Sequence, residues 1–152
     1  MLTRKAEDYL ETIYNISMQK GYVRIRDIST SLSVRPSSVI EMMKKLDEMG
    51  LVIYKKYDGV KLTEKGKEIG KIVKDKHDAI KSFLEIIKVP EKIANEDACV
   101  MEHELHPQTI QQIKNLVEFV KTAPNYPEWL KHFEIFCKTG EHTCERGISK
   151  KI

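Results

Sequence analysis

The residues best suited to chemistry are Cys99, Glu102 and His103, which stand at positions i, i+3 and i+4 of one short segment. If that segment is a helix, the spacing places a thiol, a carboxylate and an imidazole on one face. This mixture of sulfur, oxygen and nitrogen favours Fe(II), Mn(II), Co(II) or Zn(II) over Ca(II) or Mg(II). Three ligands do not complete such a site, so the sequence predicts that others come from elsewhere in the chain.

Three other places in the sequence hold candidate ligands. Asp8 and Glu11 lie one turn apart near the N-terminus, although carboxylates in the first turns of a helix also favour its positive end. His77 falls within an apolar helical stripe, where a histidine either forms a core hydrogen bond or binds a metal. A cluster with C-x4-H-x-C spacing is either a second metal or redox site or a set of unlinked side chains. Its members are Cys137, His142 and Cys144.

The composition is that of a globular protein of one or two small domains, with 152 residues of which 41% are hydrophobic and 32% charged. No apolar run approaches the roughly 20 residues that a membrane span needs. An odd number of widely spaced cysteines favours a reducing cytoplasm over a disulfide framework.

The charge is unevenly distributed along the chain. Residues 1–74 contain 15 Lys/Arg and 10 Asp/Glu, whereas residues 75–152 contain 11 and 13. A basic first half predicts that this half contacts a polyanion.

The first half has the element order of a winged helix. Apolar periodicity predicts a helix over residues 3–18 and a short helix over 25–32, and Pro36 opens a third helix that stops at Gly50. Residues 51–54 and 60–62 read as two strands joined by an Asp58-Gly59 turn. The third helix carries an apolar stripe of Val39, Met42, Met43, Leu46 and Met49.

A helix-turn-helix followed by a hairpin predicts binding to duplex DNA through the exposed side of the third helix and the hairpin tip. Hydroxyls and cations at a helix N-terminus suit phosphates and base edges, whereas cations at the tip add salt-sensitive affinity. Use of the same fold for protein contacts is the alternative. The predicted DNA-binding residues are Arg35, Pro36, Ser37, Ser38, Glu41, Lys44, Lys45, Lys56, Tyr57 and Lys61.

The second half is predicted to be helical. Thr63 caps a long helix that runs to about Lys88, Pro90 and Pro107 open two more, and residues 128–138 form a short aromatic-rich helix. The long helix has an apolar stripe of Ile69, Ile72, Val73, Ile80, Phe83, Leu84 and Ile87. Because so short a set of helices buries little apolar surface, we expect pairing with a second copy of the chain.

Several motifs together resemble the DtxR/MntR family of metal-dependent transcriptional repressors. They cover roughly residues 3–122 and include Ala6-Glu-Asp-Tyr-Leu-Glu-Thr-Ile-Tyr14, Pro36-Ser-Ser-Val39, Leu62-Thr63-x-x-Gly66, Lys76-His77 and Asp97-Ala-Cys-x-x-Glu-His103. The resemblance implies a mainly α protein, with a winged helix-turn-helix domain over residues 1–73 and an all-helical dimerisation and metal-binding domain over 74–152. In length the chain is similar to the shorter, manganese-type branch.

The resemblance also implies a function and a ligand set. The protein would be a cytoplasmic homodimeric repressor, not an enzyme, that binds operator DNA when loaded with Fe(II) or Mn(II), with Co(II), Zn(II) or Ni(II) as surrogates. Its metal ligands would be Asp8, Glu11, His77, Cys99, Glu102 and His103. Cys99 stands where the manganese-type branch has Glu, and a thiolate shifts preference from Mn(II) towards Fe(II), Co(II) or Zn(II), of which Fe(II) is favoured here. Two alternatives are a winged-helix regulator that senses oxidants or a small ligand, and a metalloenzyme.

Overall fold

A computed structural model describes residues 1–143 and divides the chain into two compact units, Met1–Asp78 and Ala79–Ile152. The described residues form seven helices and one two-stranded antiparallel sheet, which confirms the mainly α fold class. None of the helices in this part of the chain is both long enough and apolar enough to cross a membrane. The domain boundary after residue 73 stays a prediction.

The first unit begins with three helices whose ends have identifiable causes. Helix α1 (Arg4–Lys20) starts at Thr3, whose Oγ1 accepts from the Ala6 backbone N–H at 3.2 Å, and ends at Gly21, whose φ of 78° favours glycine. Helix α2 is Ile25–Leu32 and helix α3 is Pro36–Glu48, with proline at the first helical position of α3. The predicted helix-turn-helix is therefore present.

The hairpin follows directly, as strands β1 (Val52–Lys55) and β2 (Gly59–Leu62) paired in antiparallel register. Val23 adds a single bridge to Val60 on the free edge of β2. The sequence did not predict this third segment. The hairpin and the three helices enclose one core, whose fully buried members include Leu10, Ile13, Ile28, Val39, Met43, Leu46 and Val52.

Helix α4 (Glu64–Ile86) contains the boundary between the two units. Thr63 caps it as predicted, because its Oγ1 accepts from the Gly66 N–H at 3.1 Å while its hydroxyl donates to the Gly50 carbonyl at 2.7 Å. A Cβ at Gly66 would lie 1.9 Å from the Leu51 carbonyl oxygen, so only glycine allows this close approach.

Parts of the predicted apolar stripes were wrong. Met49 is 50% exposed and is the C-cap residue, one position beyond the end of α3. Ile72 is 48% exposed, and Ile87, which lies beyond the end of α4, is also exposed. Apolar periodicity in a sequence also selects residues at the edge of the buried helix face and residues beyond the helix end. Such residues do not reach the core.

The second unit contains the last part of α4 and helices α5 (Glu91–Glu104), α6 (Pro107–Thr122) and α7 (Glu128–Thr139). Its small core contains Ile80, Leu84, Ala94, Ala98 and Ile110. Glu134 on α7 joins the helix to two other segments, since it accepts from Lys88 Nζ at 2.6 Å and from the Tyr126 hydroxyl. These hydrogen bonds hold the pKa of the Glu134 carboxyl below its usual value.

Candidate metal centre and DNA-binding surface

Asp8 and Glu11 lie on α1, one turn apart, and both are half-buried. Residues at i and i+3 lie on the same side of a helix, so the carboxylates of Asp8 and Glu11 project from one side of α1. The intervening residues, Tyr9 and Leu10, belong to the core and fix the rotation of α1. The amphipathic pattern of α1 therefore positions the two acids.

His77 is brought to this acidic side by the packing of α4 on α1. At Gly70 the helices approach so closely that a Cβ would lie 2.8 Å from the Leu10 carbonyl oxygen. Residue 77 is two turns further along the same face of α4. An imidazole nitrogen of His77 and a carboxylate oxygen of Glu11 lie within 4.8 Å of each other, a separation at which one ion contacts both. His77 itself is buried.

The candidate ligands of the second unit all lie on α5. His103 Nε2 is 3.2 Å from Glu102 Oε1, and the two side chains are only 4% and 1% exposed. A buried carboxylate is costly unless a proton, a cation or hydrogen bonds compensate its charge. Cys99 stands one turn before Glu102, where α5 is exposed. The structure thus pairs a buried imidazole with a buried carboxylate on this helix.

Each unit therefore contains candidate metal ligands. Carboxylate, imidazole and thiol are the donors that Mn(II), Fe(II), Co(II) and Zn(II) accept, and each of these ions takes four or more ligands. Of the separate tail cluster, Cys137 is exposed and the His142 ring lies 4.7 Å from the Phe136 ring. Cys144 lies outside the described residues, so that cluster stays a prediction.

The predicted DNA-binding residues lie on the outside of α3 and the hairpin. All of them are exposed except Ser38, which is half-buried, and Tyr57 at the hairpin tip reaches 90% exposure. Lys45 Nζ lies 3.1 Å from Glu41 Oε1, so the one carboxylate among the predicted DNA-binding residues forms an exposed i, i+4 ion pair. Hydrogen bonding by Lys45 holds the pKa of the Glu41 carboxyl below its ordinary value.

Sequence reasoning missed a group of polar side chains beside the hairpin. Tyr22 and Arg24 lie between α1 and α2, Arg26 is the second residue of α2, and all three are exposed. The only signal for them was the alternation of exposed and buried positions around Val23, which is too short to identify a strand.

Two family models match the chain and together cover most of it. Residues 1–60 match the N-terminal DNA-binding domain of the iron-dependent repressors, and residues 63–130 match the metal-binding and dimerisation domain of the same proteins.

Individual proteins agree with these models. The chain is 42% identical over 131 residues to an HTH-type transcriptional regulator MntR of Bacillus pumilus, covering 86% of this chain and 91% of that protein. It is 44% identical over 119 residues to MntR of Bacillus subtilis, covering 78% and 84%. The structure of the manganese regulator SloR matches with a TM-score of 0.66 and 29% identity, over 81% of this chain. The chain spans 59% of the length of that structure's chain.

Proposed function

The chain belongs to the iron-dependent repressor family, and from that premise we propose that it represses transcription when a divalent ion binds side chains of both units. The ligands would be Asp8, Glu11, His77, Cys99, Glu102 and His103. The ion would be Fe(II) or Mn(II), because the donor set is mixed and a solved relative is a manganese regulator. The DNA-bound form would be a homodimer in the cytoplasm.

The observation that supports this proposal is the pairing of ligands within each unit. In the first unit, a carboxylate oxygen of Glu11 and an imidazole nitrogen of His77 lie within 4.8 Å of each other. In the second unit, Glu102 Oε1 lies 3.2 Å from His103 Nε2. Either unit alone offers at most three of the six candidate ligands, whereas these ions take four or more. The position-by-position resemblance assigns both pairs to one ligand set, which is complete only if both units contribute.

The side chains provide a reason for metal dependence. Asp8, Glu11 and Glu102 are three carboxylates, and bringing them to one place without a cation is unfavourable because like charges repel. A bound ion would supply positive charge and fix the separation of its ligands. Moving an equilibrium from mostly inactive to mostly active requires about 5.5 kcal/mol of differential affinity. Several ligands that meet only in the active arrangement are able to provide that difference.

The DNA-binding part of the proposal uses α3 and the hairpin. Ser37 and Ser38, in the first turn of α3, present hydroxyls beside the helix N-terminus, and Lys44 follows on the exposed side. A dimer presents two such helices to half-sites whose spacing must match the separation of the helices. Metal binding would set that separation through the ligands on α1.

The proposal is tested by DNA binding to the region upstream of the protein's own gene, measured by fluorescence anisotropy without oxygen. Mn(II), Fe(II), Co(II) and Zn(II) are titrated in turn, with a chelator as the control. We expect at least one ion to strengthen binding strongly and the chelator to reverse it. Equal binding in chelator and in every metal would rule out metal gating.

The exposure of Cys99 supports one second candidate, a regulator that responds to oxidants through this thiol. In that case Cys99→Ser abolishes the response, whereas Asp8→Ala and Glu11→Ala leave it intact. Metal gating predicts the opposite for the two acids, so the same three variants separate the two functions.

A further inference from the structure

The segment between α1 and α2 forms a third edge of the hairpin sheet. The Val60 N–H donates to the Val23 carbonyl at 2.9 Å, and Val23 is buried. Gly59 permits this approach, since a Cβ there would lie 2.5 Å from the Val23 carbonyl oxygen, and its φ of 85° also favours glycine. The segment is therefore fixed to the hairpin by main-chain interactions.

This pairing determines where the neighbouring side chains point. Successive side chains of an extended strand alternate between its two faces, so Tyr22 and Arg24 both lie opposite the buried Val23. The Arg24 guanidinium lies 5.2 Å from the centre of the Tyr22 ring, and Lys56 Nζ lies 5.5 Å from the centre of the Tyr57 ring. Each cation is thus held against an exposed tyrosine.

Between the segment and the hairpin tip lies an open concavity of about 490 Å³. Its lining includes the cations Arg24, Arg26 and Lys56 and one carboxylate, Asp58. The nearby Asp27 does not cancel this positive charge, because it accepts from Lys20 Nζ at 2.9 Å and from the Arg24 backbone N–H at 3.1 Å. The hydrogen bond from Lys20 also keeps the pKa of the Asp27 carboxyl below its ordinary value. The concavity, which we call the segment–hairpin groove, is therefore positively charged.

We propose that the segment–hairpin groove binds the phosphate backbone of duplex DNA, with Arg24 and Arg26 as phosphate-binding residues in addition to those of α3 and the hairpin. The inference rests on the proposed function, because it extends the DNA surface of that repressor. Lys56, already predicted to bind DNA, lines the opposite side of the groove. The tyrosine hydroxyls add hydrogen-bond donors for phosphate oxygens.

Phosphate fits this groove better than a base edge or a small apolar ligand. To read base edges, part of a protein must enter the major or minor groove of the DNA. The segment–hairpin groove is instead an open concavity on the protein surface, formed by an edge segment and a hairpin tip. Exposed cations that neutralise phosphates strengthen binding to all DNA sequences and release counterions. The contribution should therefore be independent of sequence and sensitive to salt.

The test compares metal-loaded wild type with Arg24→Ala/Arg26→Ala on operator DNA and on a random duplex, over a range of salt concentrations. Removing one phosphate-neutralising cation should reduce the slope of log K against log salt by about 0.9, so the double variant should show a slope smaller by about 1.8. The ratio of the wild-type binding constant to that of the double variant should then fall roughly tenfold between about 50 and 200 mM salt. Lys67→Ala/Lys71→Ala, which removes two exposed charges from α4, is the matched control and should keep the wild-type slope.

Two further results separate the explanations. Arg24→Lys/Arg26→Lys keeps both charges and should retain most of the slope, and far-ultraviolet circular dichroism checks that each variant is folded. An unchanged slope in the alanine variant, or a loss of affinity confined to operator DNA, would overturn the phosphate assignment while leaving metal gating intact. Absence of metal-stimulated DNA binding by the wild type would instead remove the proposed function, and this inference with it.

Discussion

The two units differ in the size of their buried apolar cores. The first unit has a continuous core drawn from three helices and the hairpin, and it includes large side chains such as Tyr9 and Met43 at 2% and 0% exposure. The core of the second unit is smaller and includes two alanines. Several of its large apolar side chains are at least a third exposed, including Ile93, Val100, Phe119, Trp129 and Phe136.

This difference indicates that the two units are stabilised in different ways. A unit with a full core keeps its DNA-binding elements in place by itself, whereas a unit with a small core and an exposed apolar surface gains most from association. The family match of residues 63–130 to a dimerisation domain agrees with this interpretation. The substitutions below test whether the first unit depends on its core and the second on its partners.

The largest effect on folding is expected in the core of the first unit. Met43→Ala should lower the free energy of unfolding by about 2–5 kcal/mol, because it opens a cavity at a fully buried position. Chemical denaturation at two protein concentrations measures this decrease. The decrease should be the same at both, and a strong concentration dependence would contradict the self-sufficiency of this unit.

The next effect concerns the candidate metal ligands of the second unit. Glu102→Gln keeps the shape of the side chain but removes its charge, so if Glu102 is a ligand, metal affinity should fall on the order of 100-fold. Isothermal titration with Mn(II) measures this change, and Glu104→Gln, an exposed position on the same helix, is the control. Equal affinities for both variants and wild type would remove Glu102 from the ligand set.

A smaller effect should appear in association. Ile93 and Val100 lie two turns apart on α5, and each is about half exposed in the single chain. Replacing both with serine should weaken self-association by about 1–3 kcal/mol while leaving the first unit stable. Analytical ultracentrifugation gives the dissociation constant. An unchanged constant would mean that this side of α5 lies outside the dimer interface.

The smallest effect is expected at the start of α4. Thr63→Ala removes the cap on the Gly66 N–H and the hydrogen bond to the Gly50 carbonyl. The free energy of unfolding should fall by about 1 kcal/mol, measured by thermal or urea unfolding. Thr63→Ser keeps both hydrogen bonds and should lie close to wild type. If serine destabilised the protein as much as alanine, the methyl group and not the hydroxyl would be responsible.

The sequence predicted elements with strong local signals. Periodicity together with Pro36 and Thr63 placed α2, α3 and the start of α4 correctly, because stops and caps are encoded within a few residues. The bridge between Val23 and Val60 was missed, since one isolated pair has no repeating pattern and depends on a distant segment. The exposure of Met49 and Ile72 likewise depends on how far the core extends, and the local sequence pattern does not contain that information.

The candidate ligands show the same limit. Spacing alone identified Cys99, Glu102 and His103, because all three lie on one helix. The proximity of His77 to Glu11 results from the packing of α4 on α1 around Gly70. From the residues alone, His77 could equally have been a core histidine. Only the resemblance to a family of metal-dependent repressors assigned it a metal-binding role.

Anomalous diffraction from crystals grown with Mn(II) would test most directly whether one ion is bound by both units. We expect a peak within about 2.0–2.4 Å of carboxylate oxygens of Asp8 or Glu11 and, at the same ion, of Glu102 and His103. A peak ligated only by residues of α5, or none near Asp8 and Glu11, would contradict the proposal that metal binding joins DNA recognition to the dimerisation unit.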